Sequence, residues 1–234
     1  MAIKPQRADF IKSLTRGLND LHLPLLEDNA FEKLRQYFEE LNKWGAKINL
    51  VAKAGPEQII ENHFLDSLTL LPQIAPYEAK PAPSLLDVGT GAGFPGLVIK
   101  IACPWLNVSL VEPRQKRAIF LKHIVRTLKL EKVTVKAERL PEDAENFSQN
   151  YGRPDLITCR ALADINKFLQ MLAHICPAES TVICMKGPKA DEEIREWRLT
   201  ANSPFELIGT NHFTMPMSGA ERSLVIFKTR EKLR

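Results

Sequence analysis

Leu85-Leu86-Asp87-Val88-Gly89-Thr90-Gly91-Ala92-Gly93-Phe94-Pro95-Gly96 is the stretch whose reading decides the fold of this chain. An apolar strand runs through an acidic residue into a glycine-rich turn and the start of a helix. Glycine is needed where the backbone turns with positive φ and comes close to a ligand without a Cβ in the way. Pro95 suits the first turn of the helix that follows, where its missing N–H costs little. The segment reads as a pocket for a small cofactor.

Two cofactor classes compete for that pocket. Gly91-x-Gly93-x-x-Gly96 satisfies the dinucleotide fingerprint, with Glu112 downstream for a ribose contact. Asp87, placed before the first glycine, and the run Gly89-x-Gly91-x-Gly93 shift the balance. A carboxylate there suits the ammonium and sulfonium of S-adenosylmethionine and repels the pyrophosphate of a nicotinamide dinucleotide. A methyltransferase is therefore expected ahead of a dehydrogenase, and both ahead of a corner that binds nothing.

The 234 residues, 44% of them hydrophobic, suffice for one α/β domain with an appendage. No apolar run is long enough to span a bilayer, and Met1-Ala2-Ile3-Lys4-Pro5 lacks the apolar core of a signal peptide. A soluble, cytoplasmic protein without membrane or metal partners, acting as a monomer, is expected. Cys103, Cys159, Cys176 and Cys184 show no C-x-x-C spacing and read as reduced structural thiols. A net charge of +4 does not by itself indicate a polyanionic partner, so the placement of the charges carries that question.

Residues 1–80 read as an N-terminal helical extension and 81–234 as the cofactor-binding domain, with Pro81-Ala82-Pro83 as linker. Phe31, Leu34, Phe38, Leu41 and Trp44 form one apolar helical stripe. A second helix is predicted over 56–71, with Pro56 near its start and Pro72 near its stop. Its His63, Asp66 and Ser67 invite a triad reading, but nothing in the segment advertises an exposed nucleophile or an oxyanion hole, and a polar packing network is expected instead. Strands are predicted at 85–88, 108–111, 133–135, 156–159 and 181–185, with a terminal pair at 206–213 and 224–228. Strands separated by helical patterns give right-handed βαβ units. The fold expected is α/β: a Rossmann-like class I methyltransferase with a seven-stranded, mostly parallel sheet, an antiparallel C-terminal edge hairpin and the N-terminal helical extension.

Ligands in such sheets bind beyond the carboxyl ends of the strands, at the switch in strand order. Glu112 follows the second strand and can accept both ribose hydroxyls. After the third strand, Glu138, Arg139, Leu140 and Pro141 can cover the adenine face. Arg160, at the end of the fourth strand, can hold a carboxylate or a phosphate. Arg114, Lys116, Arg117, Lys122, Arg126 and Lys129 fall on one predicted helix without any acid, whose outer face would be an unopposed cationic surface for RNA phosphates. Lys186 and the tail residues Lys228, Arg230, Lys232 and Arg234 would extend it.

The segment 87–96 closely resembles the glycine loop of the bacterial small-subunit ribosomal RNA methyltransferase G family, also called glucose-inhibited division protein B. Asn49-Leu50-Val51, His63-Phe64-Leu65-Asp66-Ser67-Leu68, Lys116-Arg117-x-x-Phe120-Leu121, Arg160-Ala161, Leu162-Ala163, Lys186-Gly187 and Glu221-Arg222 resemble that family's landmarks in its order, over residues 20 to 228. The resemblance implies methylation of N7 of one guanine in 16S rRNA, free or within the small subunit, with S-adenosylmethionine as cofactor. It implies cofactor contacts at Gly89, Phe94, Leu140, Pro141 and Arg160, beside Asp87, Gly91, Gly93 and Glu112 from the residue reading. Leu140-Pro141 departs from the small residue and glutamate of many members, and Ser218-Gly219-Ala220-Glu221 varies a glycine-rich pattern. A ring nitrogen without a proton needs no general base, only alignment and a tuned field, so no catalytic residue is assigned beyond the candidates Arg160, Lys186 and Arg139. Cys159 raises a rival, attack on a cytosine by a thiolate, which its apolar strand setting disfavours. A methyltransferase for a small molecule or protein and a non-catalytic RNA-binding assembly factor remain as alternatives.

Overall fold

A computed structural model describes residues 7–46, 48–200 and 203–230; Met1-Ala2-Ile3-Lys4-Pro5, Lys232 and Arg234 lie outside them. Seven strands, β1 (Ser84–Val88), β2 (Asn107–Val111), β3 (Val133–Lys136), β4 (Leu156–Arg160), β5 (Thr181–Lys186), β6 (Phe205–Thr214) and β7 (Glu221–Thr229), form one sheet in the order β3-β2-β1-β4-β5-β7-β6. The first five run parallel and β7 returns antiparallel between β5 and β6. This is the expected architecture, with a terminal hairpin longer than its apolar core because the pairing carries on through Glu221, Arg222 and Ser223. The order reverses between β1 and β4, so the carboxyl ends of these two strands open the crevice where ligands bind.

Side-chain alternation along the strands divides the core between two faces. Leu85, Leu110, Leu156 and Ile183 face one layer, which contains helices α1 (Arg7–Asp20) and α2 (Asp28–Gly45) and the helices Gly96–Ala102 and Gln115–Thr127. Leu86, Val88, Ile157 and Val182 face the other, made by Ala144–Tyr151, Ile165–Leu172 and Ala190–Arg198. The predicted stripe on α2 buries Phe31, Leu34, Phe38 and Leu41, and adds Tyr37, which hydropathy patterning had passed over.

The helix predicted over 56–71 ends at Leu68 and is not a regular α-helix. Its middle, Ile60–Leu65, is π-helical, and the Asp66 N–H reaches back five residues to the Glu61 carbonyl. Pro72 lies in the first turn of the next short helix, Leu71–Ile74, where a missing N–H is tolerated. Pro95 precedes its helix at the N-cap, one residue earlier than expected.

Candidate active site at the β1–β4 switch point

The glycine turn is tied down from below by Asp87. Its carboxylate is fully buried, and Oδ2 accepts from Thr90 Oγ1 at 2.5 Å and from the Gly96 N–H at 2.8 Å. A Cβ on Gly96 would lie 2.4 Å from Leu110 Cδ2 and 2.7 Å from Asp87 Oδ2, so glycine is obligatory there. Gly89, Gly91 and Gly93 all have positive φ, as the loop geometry requires. Asp87 Oδ1 is buried without a partner among the described residues. Burial raises the Asp87 pKa to about 6, opposed by the bonds from Thr90 and Gly96 and by the charge of Arg160.

Above the loop lies an aromatic cluster from both parts of the chain. Tyr37 on α2 is buried, donates its hydroxyl to the Ala92 carbonyl and stacks on Phe94 with centroids 5.4 Å apart. Phe94 also stacks on His63 at 4.9 Å, and the Arg160 guanidinium lies 5.3 Å from the Phe94 centroid.

Arg160, at the β4 tip, is the hub of the site. Its Nη1 donates to the Asn62 carbonyl at 2.6 Å and to Asp66 Oδ2 at 3.0 Å, and its Nη2 lies 2.9 Å from His63 Nδ1. Asp66 also lies 3.4 Å from Arg222 Nε on β7. The π-helical turn brings these groups together, since an extra residue per turn rotates Asn62, His63 and Asp66 toward the sheet. Glu61, on the same turn, is buried and accepts from the Met217 and Ser218 N–H groups at 2.6 and 3.1 Å, which holds the β6–β7 turn in place. The set His63, Asp66 and Ser67 is thus the expected polar network: Ser67 is buried and donates to the His63 carbonyl.

A cavity of about 600 Å³ opens beside this hub, lined by Asn62, His63, Asp66, Arg160, the 161–164 loop, Lys186, Glu193 and Arg222. It lies over the tips of β4, β5 and β7, on the opposite side of β1 from Glu112. Lys186 is nearly buried and committed, donating to the Ala163 carbonyl at 2.5 Å and pairing with Glu193 at 2.8 Å. Leu162 packs over Gly89, where an added Cβ would meet its Cδ1 at 2.7 Å. Arg139 is exposed in the loop after β3 and does not line this cavity, whereas Leu140 packs partly against the core.

At the β2 tip, Glu112 is buried; Oε1 accepts from the Arg114 N–H at 2.8 Å and Oε2 lies 3.7 Å from Arg117 Nη1. Arg117 therefore turns inward, reaching the Asn49 carbonyl as well, and departs from the cationic face expected of it. Arg114, Lys116, Lys122, Arg126 and Lys129 are exposed and make no ion pair among the described residues. Arg114 caps the helix Gln115–Thr127 and Lys129 follows its end. Lys186 and Lys228 are paired with Glu193 and Glu179 instead of extending that surface.

The family described as rRNA small subunit methyltransferase G matches residues 30–224. A protein of that name from Desulfotalea psychrophila is 42% identical over 222 residues, covering 94% of this chain and 99% of its own. Its counterpart from Myxococcus xanthus is 34% identical, covering 94% and 97%. The chain belongs to the rRNA small subunit methyltransferase G family. It is thus an S-adenosylmethionine-dependent methyltransferase of ribosomal RNA. In fold it is similar to a putative RNA methyltransferase from Pyrococcus horikoshii, with a TM-score of 0.52 at 15% identity, covering 84% of this chain and 98% of that one. It is also similar to MtNAS solved with S-adenosylmethionine, with a TM-score of 0.54 at 14% identity, covering 96% and 78%.

For a family G methyltransferase, the residues at the β1 and β2 tips fit such a cofactor. Asp87 offers an unpartnered carboxylate oxygen to a cationic group. The space at Gly91 is open, the nearest group to an added Cβ being Arg117 Nη1 at 3.6 Å. Cys159 is buried and its thiol is pushed well above the usual range by burial, so it has no part as a nucleophile. The residue reading missed Asn62, Asp66 and Arg222 as pocket residues. The sequence signal was there in the His63-Phe64-Leu65-Asp66-Ser67 and Glu221-Arg222 landmarks, without anything to say that they meet.

Proposed function

We propose that the chain methylates N7 of one guanine in 16S rRNA, with the target base in the cavity over β4, β5 and β7 and the cofactor on the 89–96 loop. One observation carries this reading: among the described residues, the cavity walls hold no free base. Asp66 is paired with two arginines, Glu193 with Lys186, and His63 presents its lone pair to Arg160. Guanine N7 has a lone pair and no proton, so its methylation asks only for alignment and a tuned field.

S-adenosylmethionine supplies an electrophilic methyl group on sulfur. Asp87 would face its cationic end, Glu112 its ribose hydroxyls, and Leu140 and Pro141 its adenine, with room left at Gly91, while Gly89 and Gly93 give the loop its positive-φ turns and Phe94 its packing. Arg160 positions the site from its side, held by Asn62 and Asp66. Leu162 packs over Gly89. The exposed cations from Arg114 to Lys129, with α1 and α2, would dock the RNA backbone, and the unpaired base would be splayed into the cavity. The enzyme would act in the cytoplasm, as a monomer, a reading that a ribosomal substrate supports.

Mass-spectrometric mapping of methylated nucleotides in 16S rRNA, from cells with and without this gene and complemented with Asp87→Ala, tests the reading. Loss of a single 7-methylguanosine that the variant does not restore supports it. An unchanged map removes it and favours a small-molecule methyltransferase or an assembly factor.

A further inference from the structure

The His63 ring is fixed in plane, tautomer and charge. It stacks on Phe94 at 4.9 Å with an interplanar angle of 28°. The nitrogen that faces Arg160 meets a group that only donates, so it must present a lone pair, and the single ring proton of the neutral imidazole sits on the other nitrogen, Nε2. Burial and the Arg160 charge push its pKa down to about 3, so the ring is neutral at cellular pH.

Nε2–H has no partner among the described residues. The one buried side-chain oxygen or nitrogen there without a partner is Asp87 Oδ1, so Nε2 is open where His63 lines the cavity. A fixed, neutral, unsatisfied donor beside the glycine loop asks for an acceptor on the substrate.

Guanine offers two acceptors on the edge that is methylated, N7 and O6, whereas adenine has N7 beside an amino donor. A donor next to the methylated nitrogen accepts guanine and repels adenine. The charge matters as well. Transfer breaks the sulfur–methyl bond, leaving its electron pair on sulfur, and the N7 lone pair forms the new bond, so a neutral base becomes a cation and no proton moves. A cation at O6 would oppose that charge, whereas a neutral imidazole does not. The cations at the cavity have protein partners, Lys186 in Ala163 and Glu193, Arg160 through both terminal nitrogens, and Arg222 in Asp66, the Glu221 carbonyl and Asn62.

We propose that His63 Nε2–H donates to O6 of the target guanine and thereby selects guanine over adenine while turning N7 toward the methyl donor. This rests on the guanine-N7 reading above. Arg160 acts through His63 as a positioning residue, fixing its tautomer.

The test is methylation of small subunits reconstituted with guanosine or with 2-aminopurine riboside at the methylated position; the analogue keeps N7 and the 2-amino group and lacks O6. The wild-type enzyme is expected to lose roughly tenfold to a hundredfold in kcat/KM on the analogue, the scale of one buried hydrogen bond left unmade. His63→Phe, which keeps a stacked ring, should lose a similar factor on guanosine and nothing further on the analogue, and His63→Gln, which retains an N–H, should recover part of the preference. Equal discrimination by wild type and His63→Phe overturns the proposal. Absence of guanine-N7 methylation by the wild type would instead overturn the reading on which it rests. Should His63→Phe fail to fold, nitrogen-15 spectra of the wild-type histidines decide the matter. A neutral Nε2–H tautomer that shifts with guanosine subunits and not with the analogue supports the assignment, and a proton on the nitrogen facing Arg160 refutes it.

Discussion

Asp87 combines two tasks in one carboxylate. Oδ2 closes the loop onto the Thr90 hydroxyl and the Gly96 N–H, and Oδ1, without a partner among the described residues, is proposed to meet the ligand. Because its pKa sits near 6, the group is ionised above that value and neutral below it. A cationic ligand is attracted only to the ionised form, so S-adenosylmethionine affinity is expected to weaken as pH falls through about 6. Calorimetry from acid to neutral pH checks this, and Asp87→Asn should bind more weakly with a flat profile. Gly96 has a different constraint, since the contacts of 2.4 and 2.7 Å that a Cβ would make are to a packed leucine and to Asp87 itself. Gly96→Ala is expected to cost about 3 kcal/mol or more, from overpacking together with a disturbed buried bond, measured by urea unfolding. Both roles follow from the local sequence, because a strand, a turn and a helix start place residues 87, 90 and 96 together without help from the rest of the chain.

The elements show where local reading loses its hold. The stripe on α2 was legible from its spacing, yet Tyr37 on that helix carries the contact that matters most for the site, a buried hydroxyl bonded to the Ala92 carbonyl. Tyr37→Phe keeps the stacked ring and removes that bond. It should cost about 1 kcal/mol of stability and lower cofactor affinity, although Tyr37 belongs to the helical extension and not to the sheet. Paired melting and calorimetric measurements separate the two effects. The 56–68 helix was legible as a helix, and its π-helical turn was not. No residue type demands an i to i−5 bond; this one is stabilised by the contacts it permits, Glu61 with the β6–β7 turn and Asp66 with Arg160 and Arg222.

At the scale of the whole molecule, charge is sorted. Cations at the cavity are paired, Arg160 and Arg222 with the one carboxylate of Asp66 and Lys186 with Glu193, whereas Arg114, Lys116, Lys122, Arg126 and Lys129, on the helix Gln115–Thr127 and its flanks, face solvent without ion-pair partners among the described residues. Such a surface binds phosphates through counterion release, which leaves a signature in salt dependence. Lys122→Glu and Arg126→Glu are expected to weaken 16S rRNA binding and to flatten the slope of log affinity against log salt by roughly 1 for each lost phosphate contact. Cofactor affinity and melting temperature should stay unchanged. A titration of RNA at several salt concentrations checks this, and Arg117→Glu should behave differently, since Arg117 sits against Glu112 and the glycine loop.

Residues 85–96, the alternation of strand and helix, and the acid-free basic helix together determined the fold class, the cofactor and the exposed cationic surface proposed to meet RNA, because each is a local pattern of period or of residue type. The meeting of Asn62, His63 and Asp66 with Arg160 and Arg222, the reach of Tyr37 to the loop, and the inward turns of Arg117 and Lys186 were decided only by tertiary structure. Arg160 and Asn62 are 98 residues apart in the chain. Which partner a cation takes at such a distance depends on how helices and sheet pack, and a free arginine and a buried one are the same letter in sequence.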